Sequence, residues 1–171
     1  MNEAQENIKN LAKSVVQKEA EAVRKLEPFI DDTFMEVLDL IFNSKGRLII
    51  TGIGKSAIIG NQIVATMNST GTPAIFIHVG DAIHVYLGII QENDVVLCIS
   101  KSCNTPEIKV LVPLIKRMGN KLIGMVSNRD SYLGEQADYV IRTTVDAEAC
   151  PNNLAPTSST TTQLVMGDAM A

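Results

Sequence analysis

The chain has 171 residues, 46% of them apolar and 20% charged, with 19 acidic against 15 basic side chains and a net charge of −4. That length and apolar content suit a single domain, 1–171, with one substantial core. The acidic balance argues against a nucleic-acid partner, whose phosphates call for a basic face. Cys98, Cys103 and Cys150 show no CxxC spacing, and His78 and His84 are too few for a dedicated zinc site, so a reduced, cytoplasmic protein without metal is expected.

The N-terminus, studded with Glu and Lys, is unlike an export signal. The longest uncharged stretch, 56–80, is interrupted by Asn61, Gln62, Asn68, Pro73 and His78 and divides better into a helix and a strand than into a membrane span. A soluble protein with no membrane partner is expected.

Ile8, Leu11, Ala12, Val15, Val16, Ala22, Val23 and Leu26 repeat at steps of three and four, one stripe of an amphipathic helix. Pro28 sits where a second helix could start, and Phe34, Val37, Leu38, Ile41 and Phe42 continue the pattern. Residues 1–45 therefore read as two helices whose apolar faces need a partner. A domain of this size is expected to leave part of those stripes uncovered, which predicts a homo-oligomer, a dimer or tetramer.

From Gly46 the pattern changes to short, continuous apolar runs. Leu48 to Ile50, Ala74 to Ile77, Val95 to Ile99, Leu122 to Val126 and Tyr139 to Ile141 are candidate strands. Continuous rather than alternating apolarity implies strands covered on both faces, hence a parallel sheet between helices. Helical stretches fall at 57–68, at 106–118, near 132–136 and from Thr157 to the end. The expected class is α/β: a three-layer α-β-α sandwich with a five-stranded parallel sheet over 46–171, preceded by two helices.

In such a sheet ligands collect at the carboxyl ends of the strands, and three loops there are chemically loaded. Thr51-Gly52-Ile53-Gly54-Lys55-Ser56 leads into a helix and combines close backbone approach, a helix N-terminus, a cation and a hydroxyl. A Walker A loop would need glycine where Ile49 stands. The Gly52-x-Gly54-x-x-Ala57 spacing fits a dinucleotide fingerprint, but His78 occupies the end of the next strand where an acidic ribose partner is wanted. A tight turn without a ligand is the plain alternative. The second loop, Ser100 to Glu107, places Ser100, Ser102 and Thr105 at the positive end of a helix, suited to a phosphate monoester; capping by Thr105 would explain one of these hydroxyls but not three. In the third, Glu148 precedes six consecutive hydroxyl residues, 157–162, of poor helix propensity. His84 shares the same edge with Lys55, Glu107 and Glu148, an assembly of acid, base and anion anchor. Cys103 and Cys150 read as packing residues.

Gly52-Ile53-Gly54-Lys55-Ser56, Ser69-Thr70-Gly71-Thr72-Pro73, Ile99-Ser100-Lys101-Ser102 and above all Glu148-Ala149-Cys150-Pro151 with Leu154 to Thr161 resemble the sugar isomerase (SIS) domain of the arabinose-5-phosphate isomerase family. The resemblance runs from about Gly46 to Ala171. It implies a phosphosugar aldose–ketose isomerase, working on arabinose 5-phosphate and ribulose 5-phosphate through an enediol, with no metal or organic cofactor and usually as a tetramer. It also implies that Ser56, Ser100, Ser102 and Thr105 bind the substrate phosphate, that Gly54, Thr157 and Ser158 contact the sugar, and that Lys55, His84, Glu107 and Glu148 are catalytic. Within that scheme Glu148 is the first choice for the proton-transfer base, with Glu107 able to exchange roles, His84 the acid or polarising group and Lys55 the charge stabiliser.

Two departures stand out. The family's surroundings of His84 are replaced by Val79, Asp81, Val85 and Tyr86, which leaves a non-catalytic phosphosugar sensor as the alternative function. Cys103 stands where the family carries glycine, which predicts an altered loop conformation, since Cys lacks the backbone freedom of Gly. The family's paired regulatory CBS domains have no counterpart in these 171 residues.

Overall fold

Five strands form at the apolar runs: β1 (Leu48–Gly52), β2 (Ala74–His78), β3 (Val95–Ser100), β4 (Lys121–Val126) and β5 (Tyr139–Arg142). All pair in parallel, in the order β2-β1-β3-β4-β5. The computed structural model describes residues 3–82 and 87–171. Along the strands successive side chains serve opposite faces. Leu48, Ile50, Leu97, Ile99, Ile123, Met125 and Ile141 belong to one core, and Ile49, Val96, Cys98, Leu122 and Val126 to the other. Both faces are buried, which is why the runs read as continuous.

Around the sheet lie α1 (Glu3–Arg24), α2 (Asp32–Asn43), α3 (Lys55–Thr70), the single turn α4 (Val79–Asp81), α5 (Pro106–Met118), α6 (Tyr132–Gln136) and α7 (Ser158–Met170). Phe34 and Val37 of α2, Ile63 and Met67 of α3, and Met166 and Met170 of α7 fill the first core; Ile108, Leu111, Val112 and Ile115 of α5 with Leu133 of α6 fill the second. The three-layer sandwich is as expected. Each fully buried Ile or Leu contributes roughly 1.5–3 kcal/mol, so these two layers carry most of the stability.

The second helix does not start at Pro28. Glu27–Phe29 forms a separate 3-10 turn, and Ile30 leaves helical geometry at ψ +74°. The helix begins at Asp32, because the Asp31 carboxylate accepts the Phe34 N–H at 3.1 Å and supplies the N-cap that Pro28 lacks. Helix α1 buries none of its 22 residues. It lies against α7, where Thr161 Oγ1 donates to Glu19 at 2.7 Å, and leaves Ile8, Leu11 and Val16 at 68%, 49% and 69% exposure.

Helices α3 and α7 cross closely. A Cβ at Gly167 would stand 2.3 Å from Ile63 Cδ1, so only glycine lets the two helices approach there. This crossing brings the N-termini of α3 and α7 together above the carboxyl end of β1.

Candidate active site

Between those N-termini and the β3–α5 loop lies a cleft of about 220 Å³, lined by Ile53, Lys55, Ser56, Ser100, Lys101, Ser102, Pro156, Ser159 and Thr160. A larger hollow, about 390 Å³, opens at the opposite end of the sheet beside Arg47, Pro73 and Ala171. The smaller cleft is the better candidate on chemical grounds. It combines two ammonium groups, five hydroxyl side chains and two helix N-termini at the carboxyl edge of a parallel sheet.

Local sequence explains its walls. At Gly52 a Cβ would meet the Ser56 carbonyl oxygen at 3.0 Å, and Gly54 turns the chain into α3 at φ +59°, so each glycine has its own backbone reason. Lys55 follows at the first helical position, exposed, its Nζ donating to the Pro156 carbonyl at 3.1 Å. Ser56 is nearly buried and donates to Gln163 Oε1 of α7 at 3.1 Å.

In the β3–α5 loop Cys103 adopts a backbone conformation that side chains rarely take. Cys103 itself takes the left-handed conformation, φ +58°, at a cost of order 1 kcal/mol that a buried and bonded side chain can offset. Its N–H donates to Ser100 Oγ at 2.9 Å, its thiol donates to the Ser100 carbonyl at 2.9 Å, and the side chain is fully buried. Ser100 is therefore turned partly inward as a loop staple, while Ser102 is exposed. Thr105 caps α5 through the Ile108 N–H at 3.5 Å, and neither Thr105 nor Glu107, half-buried in the first turn of α5, lines the cleft.

Glu148 is 4% exposed and densely bonded. On Oε1 it accepts from Lys101 Nζ and Ser159 Oγ, each at 2.5 Å. On Oε2 it accepts from the Thr157 N–H at 2.7 Å, the Ser159 N–H at 3.1 Å and Thr157 Oγ1 at 3.3 Å. Burial alone would push this carboxyl up, but the Lys101 and Ser159 side chains and the two backbone donors outweigh it and hold the group at about 2. Thr157 is thereby committed to Glu148 and to the Cys150 N–H, and Ser158 is buried away from the cleft. Cys150 is half-buried rather than packed in a core, and backbone hydrogen bonds led by those of Ala155 and Leu154 draw its thiol below the usual range.

Of the residues expected at the site, the structure brings together Lys55, Ser56, Ser100 and Ser102, with Gly54 beside them as the cap of α3 and Glu148 just behind the wall. His84 falls outside the described residues. Gln163 lies outside every motif of the sequence, and Lys101, Ser159 and Thr160 fall within motifs that give them no role of their own. The signals for them are slight: a cation between two serines, and a helix start too rich in hydroxyls for its own stability.

Residues 40–171 match the SIS domain, and the chain belongs to that family. It is 45% identical over 165 residues to a probable arabinose 5-phosphate isomerase of Haemophilus influenzae, covering 96% of this chain and 49% of that protein. It is 48% identical over 153 residues to the arabinose 5-phosphate isomerase KdsD of Pseudomonas aeruginosa, covering 90% of this chain and 47% of that one. The chain thus spans about half the length of the curated relatives it matches. Among solved structures, an Escherichia coli CFT073 protein in complex with arabinose 5-phosphate superimposes with a TM-score of 0.89 at 36% identity, over 99% of this chain and 89% of that one. No helix among the described residues is long and apolar enough to cross a membrane.

Proposed function

We propose that the protein is a phosphosugar aldose–ketose isomerase whose substrate pair is arabinose 5-phosphate and ribulose 5-phosphate. The observation that carries this reading is the cleft at the carboxyl edge of the sheet, where Lys55 and Lys101 stand among Ser56, Ser100, Ser102, Ser159 and Thr160. Its relatives' names point to the same substrate.

In the reaction a base removes the proton from the carbon beside the carbonyl, the C–H electron pair becomes a carbon–carbon double bond as the carbonyl π pair moves to oxygen and is protonated, and the resulting enediol gives up its other hydroxyl proton as a proton is delivered to the former carbonyl carbon. Glu107 is the carboxylate assigned to proton transfer, since Glu148, the first choice from the resemblance, is held behind the wall by Lys101, Ser159 and Thr157; His84 is the group to open the ring or polarise the carbonyl, and Lys55 stabilises the developing negative charge. Ser56, Ser100 and Ser102 are assigned to the phosphate and Gly54 to the sugar; Thr105, Thr157 and Ser158, expected from the resemblance to join them, do not line the cleft. We place the enzyme in the cytoplasm, as a homo-oligomer formed through the apolar stripe of α1.

The test follows proton exchange by NMR in deuterium oxide with arabinose 5-phosphate and a panel of other sugar phosphates. Deuterium entering at the carbon beside the carbonyl supports the isomerase and identifies its substrate. Ligand-induced shifts without exchange across the panel would replace it with a phosphosugar sensor built on the same fold.

A further inference from the structure

The five donors on Glu148 leave it little capacity for further chemistry. An ionised carboxylate offers about four lone-pair directions, and Lys101, Ser159 and Thr157 already direct five hydrogens at its two oxygens. No lone pair remains for a carbon-bound proton, and a carboxylate held so far below neutral pH has little driving force to take one. Lys101 is differently placed. Its ammonium spends one of three donors on Glu148, its side chain is 43% exposed against 2% for that of Glu148, and it lines the cleft between Ser100 and Ser102.

We propose that Lys101 binds the phosphate end of the substrate, and that Glu148 is a positioning residue that aims Lys101 and ties the N-terminus of α7 to the same point. Proton transfer then falls to another group. This inference rests on the reading of the cleft as a phosphosugar site and concerns which side chains meet the ligand there. A lysine ammonium with spare donors suits a phosphate as a point charge. Glu148 fixes that charge where a free lysine would sample many rotamers, so less side-chain entropy is lost when the ligand arrives. Without Lys101, Lys55 is the one ammonium left in the lining of the cleft to meet an incoming phosphate dianion.

The experiment titrates arabinose 5-phosphate, and separately inorganic phosphate, into the whole chain and into K101M, K101R and E148Q, with melting curves as a check on folding. K101M is expected to bind both ligands at least about ten-fold more weakly, a loss of ~1.4 kcal/mol, and K101R to recover most of it. Wild-type affinity in folded K101M overturns the substrate contact.

For Glu148 the readout is the split between KM and kcat in the deuterium-exchange assay. A positioning role predicts a raised KM in E148Q with exchange still measurable, and a K101M/E148Q double variant no slower than K101M alone. Abolished exchange in folded E148Q with unchanged ligand affinity would make Glu148 the proton carrier and overturn the proposal. A wild-type protein that binds arabinose 5-phosphate without exchange would sink the isomerase reading, while the Lys101 contact would still be decided by binding.

Discussion

Arg47 and Asp94, each one residue before its strand, clasp the amino ends of β1 and β3. The Asp94 carboxylate, fully buried, accepts from the Arg47 N–H and Nη2 at 2.7 Å each, from Nε at 3.3 Å and from the Gln91 N–H at 2.9 Å. Burial would raise this carboxyl, yet the Arg47 side chain and the two backbone donors together hold it below its ordinary value. Asp94→Asn keeps the volume but loses the charge and turns a donor toward donors. It should lower unfolding free energy by about 3 kcal/mol, toward the lower end of the range for a broken buried pair because the Arg47 side chain is 31% exposed. Urea denaturation of the variant measures the loss.

The pH dependence of stability should carry the mark of Glu148. Its carboxyl titrates at about 2 in the folded protein against 4.5 ordinarily, a depressed value. Its stabilisation is therefore complete above about pH 4.5 and disappears as pH falls towards 2. The linkage amounts to about 3 kcal/mol, so E148Q should show a visibly flatter stability profile between those limits. Parallel acid limbs in the two proteins would contradict the bonding described around this group.

Cys103 tests how a side chain can occupy a glycine-like backbone. C103V places a β-branched residue at φ +58° and should destabilise by at least about 2 kcal/mol. C103A keeps a tolerable backbone and gives up the thiol hydrogen bond and a little volume, so its cost should be near ~1 kcal/mol. Thermal melts that rank alanine below valine would show that thiol packing, not backbone geometry, dominates.

Helix α1 should govern assembly. Replacing Ile8, Leu11 and Val16 together with glutamate leaves the core untouched, since no residue of α1 is buried. The expected outcome in sedimentation velocity is a shift from oligomer to monomer with little change in secondary structure. A monomeric wild type would remove this interface from consideration.

How much of this is legible from the residues depends on how local each signal is. The five strands stand out because two apolar cores press on one sheet, making almost every strand position apolar. The exit from α1 misleads because proline is a good first helical residue, whereas the cap that starts α2 is Asp31. The phosphate-suited loops can be found from glycines and hydroxyls near strand ends. The role of Lys101 is harder to read, because beyond its place between two serines its position is set by a carboxylate 47 residues away that nothing nearby announces. Thr105 illustrates the reverse: local spacing predicts a cap and a ligand contact alike, and the fold displays the cap.

The crossing of α3 and α7 at Gly167 gives the cleft one wall from early in the chain and another from its last helix. Occupancy therefore requires that α7 be docked against α3. A molecule whose α7 is undocked lacks one wall of the site, so a ligand discriminates against it and, by mass action, protects only the docked form. Protease resistance of α7 should accordingly rise with ligand concentration well before the rest of the protein responds.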